Sequence, residues 1–275
     1  IPLTKGGEYQ PFWADVPLRV NWVNDGKEVK ASIDSLHGQW SRVIQSTNLY
    51  GVPGTTYSER TASSLSLRVL PRDSIFDKVG PFVGAESEDR SIKVALSLIG
   101  ISYTTPYRFL IETSVGLRDG TTSGSAARHY LPSMIQRLPW PELAESDQAA
   151  LEEATKFAIE AARELASTHE SNQYWHEPLD WKIFVSVSEL SNAQFKRWCE
   201  IIEKIYRSAE VLEVLSKDIF SISDIEHTAL EAVAGRSVLV YPKRRPPSNE
   251  QVQALLDSPS EDLIAELART GRQKP

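Results

Sequence analysis

The longest helical pattern in the sequence lies in its second half. The stretch ESDQAALEEATKFAIEAARELAS, residues 145–167, has apolar positions at helical spacing, is rich in alanine, and begins with Ser146 and Asp147, which suit a helix N-terminus. Similar patterns predict helices at 191–220, 223–235 and 248–271, whereas residues 180–188 fit a strand or an irregular segment. The second half is therefore predicted to be a helical bundle.

The first half has a different character, rich in Gly, Pro, Ser, Trp and Tyr. Short strand-like runs are predicted at 17–23, 41–45 and 64–71, with a turn at 24–26. Residues 89–116 have apolar positions at helical spacing, broken near Gly100 and Pro106. With Pro-Trp-Pro at 139–141 as the boundary, the fold class is α+β, a mixed β-rich module at 1–140 followed by a helical domain at 141–275.

Length and composition indicate a globular, cytoplasmic protein. The 275 residues are 41% hydrophobic, no apolar run approaches the roughly 18 residues that a membrane span needs, and the start lacks the order of a signal peptide. The lone cysteine, Cys199, falls in a helical pattern and is predicted to be a packed side chain and not a nucleophile. Because the chain begins with isoleucine and reaches its first motif at once, we expect a piece of a longer polypeptide.

The acidic charge is concentrated in the second half. Net charge is −7, but residues 1–140 have 15 basic and 13 acidic side chains, whereas residues 141–275 have 15 basic and 24 acidic ones. Residues 90–140 alone have six basic side chains and two acidic ones. Since the local sign of the charge decides whether a surface can hold phosphate, only the first half is a candidate for nucleic-acid binding.

Common catalytic motifs are missing from the sequence. There is no Walker loop, no Gly-x-Gly-x-x-Gly, no His-Glu-x-x-His and no Gly-x-Ser-x-Gly. The five histidines are scattered without paired ligand spacing, so no metal site is predicted. Neighbouring carboxylates such as Glu152 and Glu153 are better explained as a solvated face than as an acid–base pair. We therefore predict neither catalytic residues nor a cofactor in this segment.

Several motifs of the first half occur in a fixed order. They are KGGEY at 5–9, VNWVNDGKEVK at 20–30, YGVPGTTYSERT at 50–61, and a strand that ends in LP before IFD at 75–77. A looser match follows at 123–143, SGSAARHYLPSMIQRLPWPEL. Together they resemble the segment after the catalytic domain in large adenine-N6 DNA methyltransferases, which include the BREX and DISARM methylases and the fused type IIG and IIL restriction enzymes.

The resemblance implies a non-catalytic role in target recognition. It implies that this piece binds double-stranded DNA beside the catalytic methyltransferase domain of the same polypeptide, in a restriction-modification or phage-defence system that could include other subunits. The Gly-rich S-adenosylmethionine loop and the Asn/Asp-Pro-Pro-Tyr/Phe motif are absent here, so S-adenosylmethionine is expected only in the parent enzyme. The alternative is a protein-interaction module that docks a defence-complex partner. A recognition region should gather its arginines on one face, whereas an interaction module should scatter them and expose an apolar patch.

The loop and strand at 51–72 have the chemistry that duplex binding needs. Glycines and a proline at 51–54 can bring backbone N–H groups near a phosphate, short hydroxyl side chains follow, and a guanidinium matches both a phosphate and the O6/N7 edge of guanine. The alternative is a surface hairpin whose arginines pair only with Glu59 and Asp73.

Two further segments are candidates for the same surface. The small residues at 123–126 permit close backbone approach before a cation, a switchable donor and an aromatic ring at 128–130, or they form a loop that only packs on the preceding helix. The Lys-Gly-Gly at 5–7 could hold a phosphate or could be only the joint to the catalytic domain. The residues expected at the DNA are Lys5, Gly6, Gly7, Arg42, Gly54, Thr55, Thr56, Tyr57, Ser58, Arg60, Thr61, Arg68, Ser123, Ser125, Arg128, His129 and Tyr130.

Overall fold

The computed structural model describes residues 1–61, 63–119, 128–169, 172–175 and 181–234 and has a mixed α+β fold. Short strands lie in the first half and long helices in the second. The predicted fold class, α+β with a helical C-terminal part, is confirmed. The predicted helix at 248–271 lies outside the described residues.

The strands are two or three residues long. They are β1 (Leu3–Thr4), β2 (Gly54–Thr56), β3 (Arg60–Thr61), β4 (Arg68–Leu70), β5 (Ile75–Phe76), β6 (Phe82–Val83) and β7 (Arg128–His129). β2 is the central strand of a sheet in which it pairs antiparallel with β4 and with β6. β1 runs parallel to β5, and β3 runs antiparallel to β7. The last pairing joins the predicted loop to the segment at 128–130.

The helices largely follow the predicted patterns. They are α1 (Val23–His37), α2 (Glu88–Ser102), α3 (Thr105–Asp119), α4 (Pro132–Ile135), α5 (Glu145–Ser167), α6 (Val187–Ile219) and α7 (Asp224–Ala234). The predicted break between two helices lies between α2 and α3, and α5 has the bounds that the sequence pattern gave. The described part of the ambiguous stretch, residues 181–188, contains a 3-10 turn, Trp181–Ile183, and the start of α6.

A single hydrophobic cluster runs from the first half of the chain into the second. Ile99 on α2, Leu151 on α5 and Leu212 on α6 are almost completely buried in it, and α2 also packs on β2 and β4. At the crossing, a Cβ atom on Gly100 would meet the Thr155 hydroxyl first, so the two helices approach more closely than a side chain would allow. The helices on both sides of Pro-Trp-Pro therefore share one core.

Two strand predictions for the first half are wrong. Within 17–23 only Arg19 forms a bridge, antiparallel to Pro2, and the chain then turns at 24–26, where the φ angles are 52°, 57° and 67°, before it continues as a helix. Residues 41–45 follow a 3-10 turn, Trp40–Arg42, instead of forming a strand. Lys30 on α1 joins the two parts of this region, because its ammonium lies 5.5 Å from the ring centroid of Trp22 and 4.5 Å from that of Trp40.

The predicted packed position of Cys199 is confirmed. Cys199 is 2% exposed on α6, and burial raises the pKa of its thiol to about 11, with a smaller contribution from Glu200.

No single helix among the described residues is both long and apolar enough to cross a membrane. α2 and the first part of α3 meet that criterion only as a pair, bent by 89°.

The close crossing at Gly100 gives a stability prediction. Gly100→Ala should lower the free energy of unfolding, because overpacking typically costs about 1–3 kcal/mol and outweighs the roughly 1 kcal/mol that alanine gains in a helix. In a Thr155→Ala background the same substitution should cost less, because the hydroxyl that the new Cβ atom meets first is gone and only Leu151 Cδ1 at 3.1 Å and Leu212 Cδ2 at 3.2 Å remain close. Urea midpoints of the four proteins measure this, and an equal loss in both backgrounds would contradict the crossing.

Candidate nucleic-acid interface

Three separate loops meet at one point on the surface of the first half. Gly6 lies against Ser58 and the Val79 carbonyl, since a Cβ atom there would be 3.2 Å from Ser58 Oγ and 3.1 Å from Val79 O. The Ser58 hydroxyl donates to the Gly7 carbonyl at 2.8 Å, and the Glu59 amide donates to the Val79 carbonyl at 2.9 Å. Residues 5–7, 58–61 and 77–80 therefore form one surface, which we call the three-loop surface.

Glycine is required where these loops touch. Gly6 and Gly7 have φ angles of 75° and 137°, in the region that other residues rarely adopt. A Cβ atom on Gly80 would be 2.6 Å from the Gly6 backbone nitrogen and 3.1 Å from Thr4 Oγ1. The backbone of the KGG motif therefore packs directly against the backbone of the 77–80 loop.

An aspartate turn holds the third loop. Asp77 Oδ1 accepts hydrogen bonds from the amides of Val79 at 2.9 Å and Gly80 at 3.0 Å. The turn leaves the Lys78 side chain exposed beside Val79. Lys78 was not among the residues expected at the DNA, although an aspartate three residues before a glycine is a turn signal that the sequence contains.

The β3–β7 pairing places residues 128 and 129 beside this surface. Arg60 pairs with His129, and Thr61 pairs with Arg128. His129 Nε2 lies 3.0 Å from Glu59 Oε1, and Arg128 Nη1 lies 2.7 Å from Glu112 Oε2. The Arg128 guanidinium is therefore neutralised by a carboxylate, unlike that of Arg60. Ser123 and Ser125, expected at the same place, lie outside the described residues.

Arg68 lies beneath the surface instead of on it. Its side chain is buried, at 2% exposure, and donates to the Glu8 carbonyl at 3.3 Å and to the hydroxyls of Ser58 and Ser66 at 3.4 Å. Burial lowers the pKa of this guanidinium from its usual value, while nearby Tyr103 acts in the opposite direction. The Arg68 side chain thus links the backbone of Glu8 to Ser58 at the start of the 58–61 loop.

Other residues expected at the DNA are also interior. Gly54 is buried where a Cβ atom would meet the Phe82 ring and lie 2.9 Å from the Val83 carbonyl, so its small size serves strand packing. The remaining buried side chains are Thr55, Thr56, Tyr57, Ser58, Arg68 and Tyr130. Burial removes them from the surface that a duplex could reach, and we assign them to the support of the loops.

The arginines of the first half do not all gather on one face. Arg42 is exposed on the turn beside α1, in a different part of the fold. Arg72 forms an ion pair with Glu88, so neither Glu59 nor Asp73 is its partner. Arg60 and Arg128 belong to the same two-stranded ladder, but Arg60 is opposite His129 and Arg128 is opposite Thr61, so their side chains leave opposite faces of it.

Three cations remain available on the three-loop surface. Lys5, Arg60 and Lys78 are exposed, and none of their side chains forms an ion pair or hydrogen bond within the described part of the chain. The neighbouring carboxylates Glu59 and Asp77 are engaged by a histidine and by backbone amides, and Glu8 is exposed. The three cations can therefore meet an anion without first breaking an internal ion pair, although the carboxylates of Glu8, Glu59 and Asp77 lie beside them.

Comparison with known proteins gives one distant relative. No protein-family model matches the chain. A stretch of 121 residues, 44% of the chain, is 25% identical to the adenine-specific methyltransferase BrxX of Escherichia coli O9:H4 (strain HS). The chain spans 9% of the length of that relative. The match supports a relation to adenine-specific methyltransferases and to their methylase or defence context.

The contact at Gly80 gives a prediction for the three-loop surface. Gly80→Ala should push residues 5–7 away from the 77–80 loop and speed hydrogen exchange of the Glu59 amide, because that amide donates to Val79. Gly38→Ala is the control, since its Cβ atom would meet nothing within 4 Å and only its φ of 80° would be strained. Unchanged exchange at Glu59 in Gly80→Ala would contradict the close contact.

Proposed function

We propose that this chain recognises duplex DNA as a non-catalytic part of an adenine-specific (N6) DNA methyltransferase in a bacterial restriction-modification or phage-defence system. The observation that carries the proposal is the three-loop surface, where Lys5, Arg60 and Lys78 are exposed and unpaired within the described residues. The distant match to an adenine-specific methyltransferase supports the context in which such a surface would work.

The arrangement suits phosphate binding. The three cations belong to three different loops that are held together by hydrogen bonds and close backbone contacts, so the backbone positions from which they extend are set before binding. Binding would then order the side chains but not the loops, which lowers its entropic cost. Each phosphate that they neutralise would release counterions, which makes the affinity depend on salt.

Sequence readout would fall to the exposed arginine of this surface. Arg60 is the residue whose guanidinium could reach a guanine edge, and one such bidentate contact discriminates by about 1–3 kcal/mol. Lys5 and Lys78 present point charges and would instead position the duplex through its phosphates. Arg128 would join them only at the expense of its ion pair with Glu112.

The chemistry of methyl transfer would lie elsewhere in the parent polypeptide. The sequence lacks the Gly-rich loop and the Asn/Asp-Pro-Pro-Tyr/Phe motif that hold S-adenosylmethionine and the adenine. The target adenine would be turned out of the stack into the catalytic domain while this segment holds the duplex. The acidic second half would then face protein, either that domain or another subunit of the defence system.

Salt-dependent duplex binding tests the proposal. The 275-residue chain should bind a labelled duplex at low salt, and the affinity should fall steeply as salt rises. The triple variant Lys5→Gln, Arg60→Gln, Lys78→Gln should bind much more weakly, and its log–log salt slope should be smaller by about 0.9 for each phosphate that is no longer neutralised. Fluorescence anisotropy at several salt concentrations measures both quantities.

The matched control is Lys196→Gln, an exposed α6 cation without an ion pair within the described residues. It should bind the duplex like the unaltered chain. Equal affinities of the triple variant and the unaltered chain for the duplex would show that the three-loop surface is not the binding site. No duplex binding at low salt would favour a protein-interaction module.

Breaking the Arg128–Glu112 ion pair should raise the affinity for duplex DNA, whereas the triple substitution should lower it. Glu112→Gln should strengthen duplex binding, because it removes a negative charge and releases the Arg128 guanidinium. Arg128→Gln should have a smaller effect than Arg60→Gln, since Arg128 is already paired. The same anisotropy titration checks both changes, and weaker binding by Glu112→Gln would mean that Arg128 needs its partner to be positioned.

A further inference from the structure

A groove separate from the three-loop surface lies between α2, α4 and β6. It has a volume of about 650 Å³, within the usual range for small-ligand sites, and is lined on one side by α2 and on the other by the segment that ends at Trp140. None of the three exposed cations described above lines it. The proposed duplex surface therefore does not account for this groove.

The α2 wall of the groove has cations at one end. Arg90, Lys93, Val94, Ser97 and Leu98 line it, and their spacing puts them on the same helical face. Arg90 and Lys93 are exposed, and neither side chain forms an ion pair within the described residues. The acidic residues Glu88 and Asp89 of α2 do not line the groove, and Glu88 is paired with Arg72.

The opposite wall has an aromatic surface open to solvent. The Trp140 side chain is 47% exposed and stands edge-on to Tyr107, with ring centroids 6.5 Å apart. Ile135 and Leu138 extend this wall with apolar side chains. Deeper in the groove, Gln148 Nε2 donates to Ser97 Oγ at 2.5 Å and to Glu152 at 2.7 Å, so these polar groups already have partners.

We propose that this groove binds one unpaired nucleotide, with the base against Trp140 and the phosphate against Arg90 and Lys93. A flat, partly exposed indole and an apolar wall suit a planar base, which stacks on an aromatic side chain regardless of sequence. Two unpaired cations one turn apart on α2 suit a single phosphate. An acidic peptide would satisfy the cations but would leave the indole surface without a planar partner.

Single-stranded DNA is the direct probe of the groove. An oligothymidylate of about 12 nucleotides should quench tryptophan emission and bind the full 275-residue chain. Arg90→Gln combined with Lys93→Gln should weaken this binding about tenfold or more, and Trp140→Ala should weaken it by a similar factor. Trp140→Phe should keep most of the affinity, because it keeps a ring, while Lys196→Gln should change nothing.

Competition distinguishes the source of the nucleotide. If thymidine monophosphate displaces the oligothymidylate, the groove binds a free nucleotide. If it does not, the groove binds a nucleotide within a strand. Both outcomes support a site for one unpaired nucleotide. Affinity that is unchanged in the Arg90/Lys93 double variant and in Trp140→Ala would overturn it, as would equal displacement by polyglutamate together with an unaffected Trp140→Ala.

This inference does not rest on the duplex proposal. The groove variants should leave the affinity for duplex DNA unchanged. The triple variant of the three-loop surface should still show quenching of its tryptophan emission when the oligothymidylate binds. A chain that fails to bind duplex but binds single strands through Trp140 would remove the first proposal and keep this one. Circular dichroism melting of each variant separates lost binding from lost folding.

Discussion

The burial of α2 between the small sheet and the α5–α6 pair is the packing arrangement on which both candidate sites depend. One face of α2 packs on β2 and β4, and the close crossing at Gly100 brings it against Thr155 of α5. β2 leads directly into the 58–61 loop, while the exposed face of α2 presents Arg90 and Lys93. A shift of α2 would therefore move both surfaces, because a close-packed core transmits displacement instead of absorbing it.

The charged groups at the three-loop surface matter more for binding there than the net charge of the whole chain does. The chain as a whole has a net charge of −7, which would repel a polyanion at long range. At the three-loop surface, however, the nearby carboxylates Glu59 and Asp77 are held by internal partners, whereas Lys5, Arg60 and Lys78 have none within the described residues. At physiological salt the Debye length is about 8 Å, so a bound phosphate would respond mainly to these neighbours and little to the acidic helices.

Helical periodicity predicted the described part of the second half well, because the amphipathic pattern of a long helix such as α5 can be read from its own residues alone. The first half was harder to predict, since its strands are two or three residues long and are defined by contacts between distant loops. Arg68 illustrates the limit. A sequence cannot distinguish an arginine that faces a ligand from one that is buried and holds the loop, and Arg68 proved to be the second kind. Lys78 and Trp140 were not among the predicted contacts, because the case for each depends on what the fold places beside it.

Hydrogen exchange of the chain with and without a duplex at low salt tests the central claim most directly. Protection is expected at residues 5–7, 58–61 and 77–80, with little change on the outer face of α6. Protection confined to α6 and α7 would contradict it, because the bound partner would then lie on the acidic helices and not on the three-loop surface.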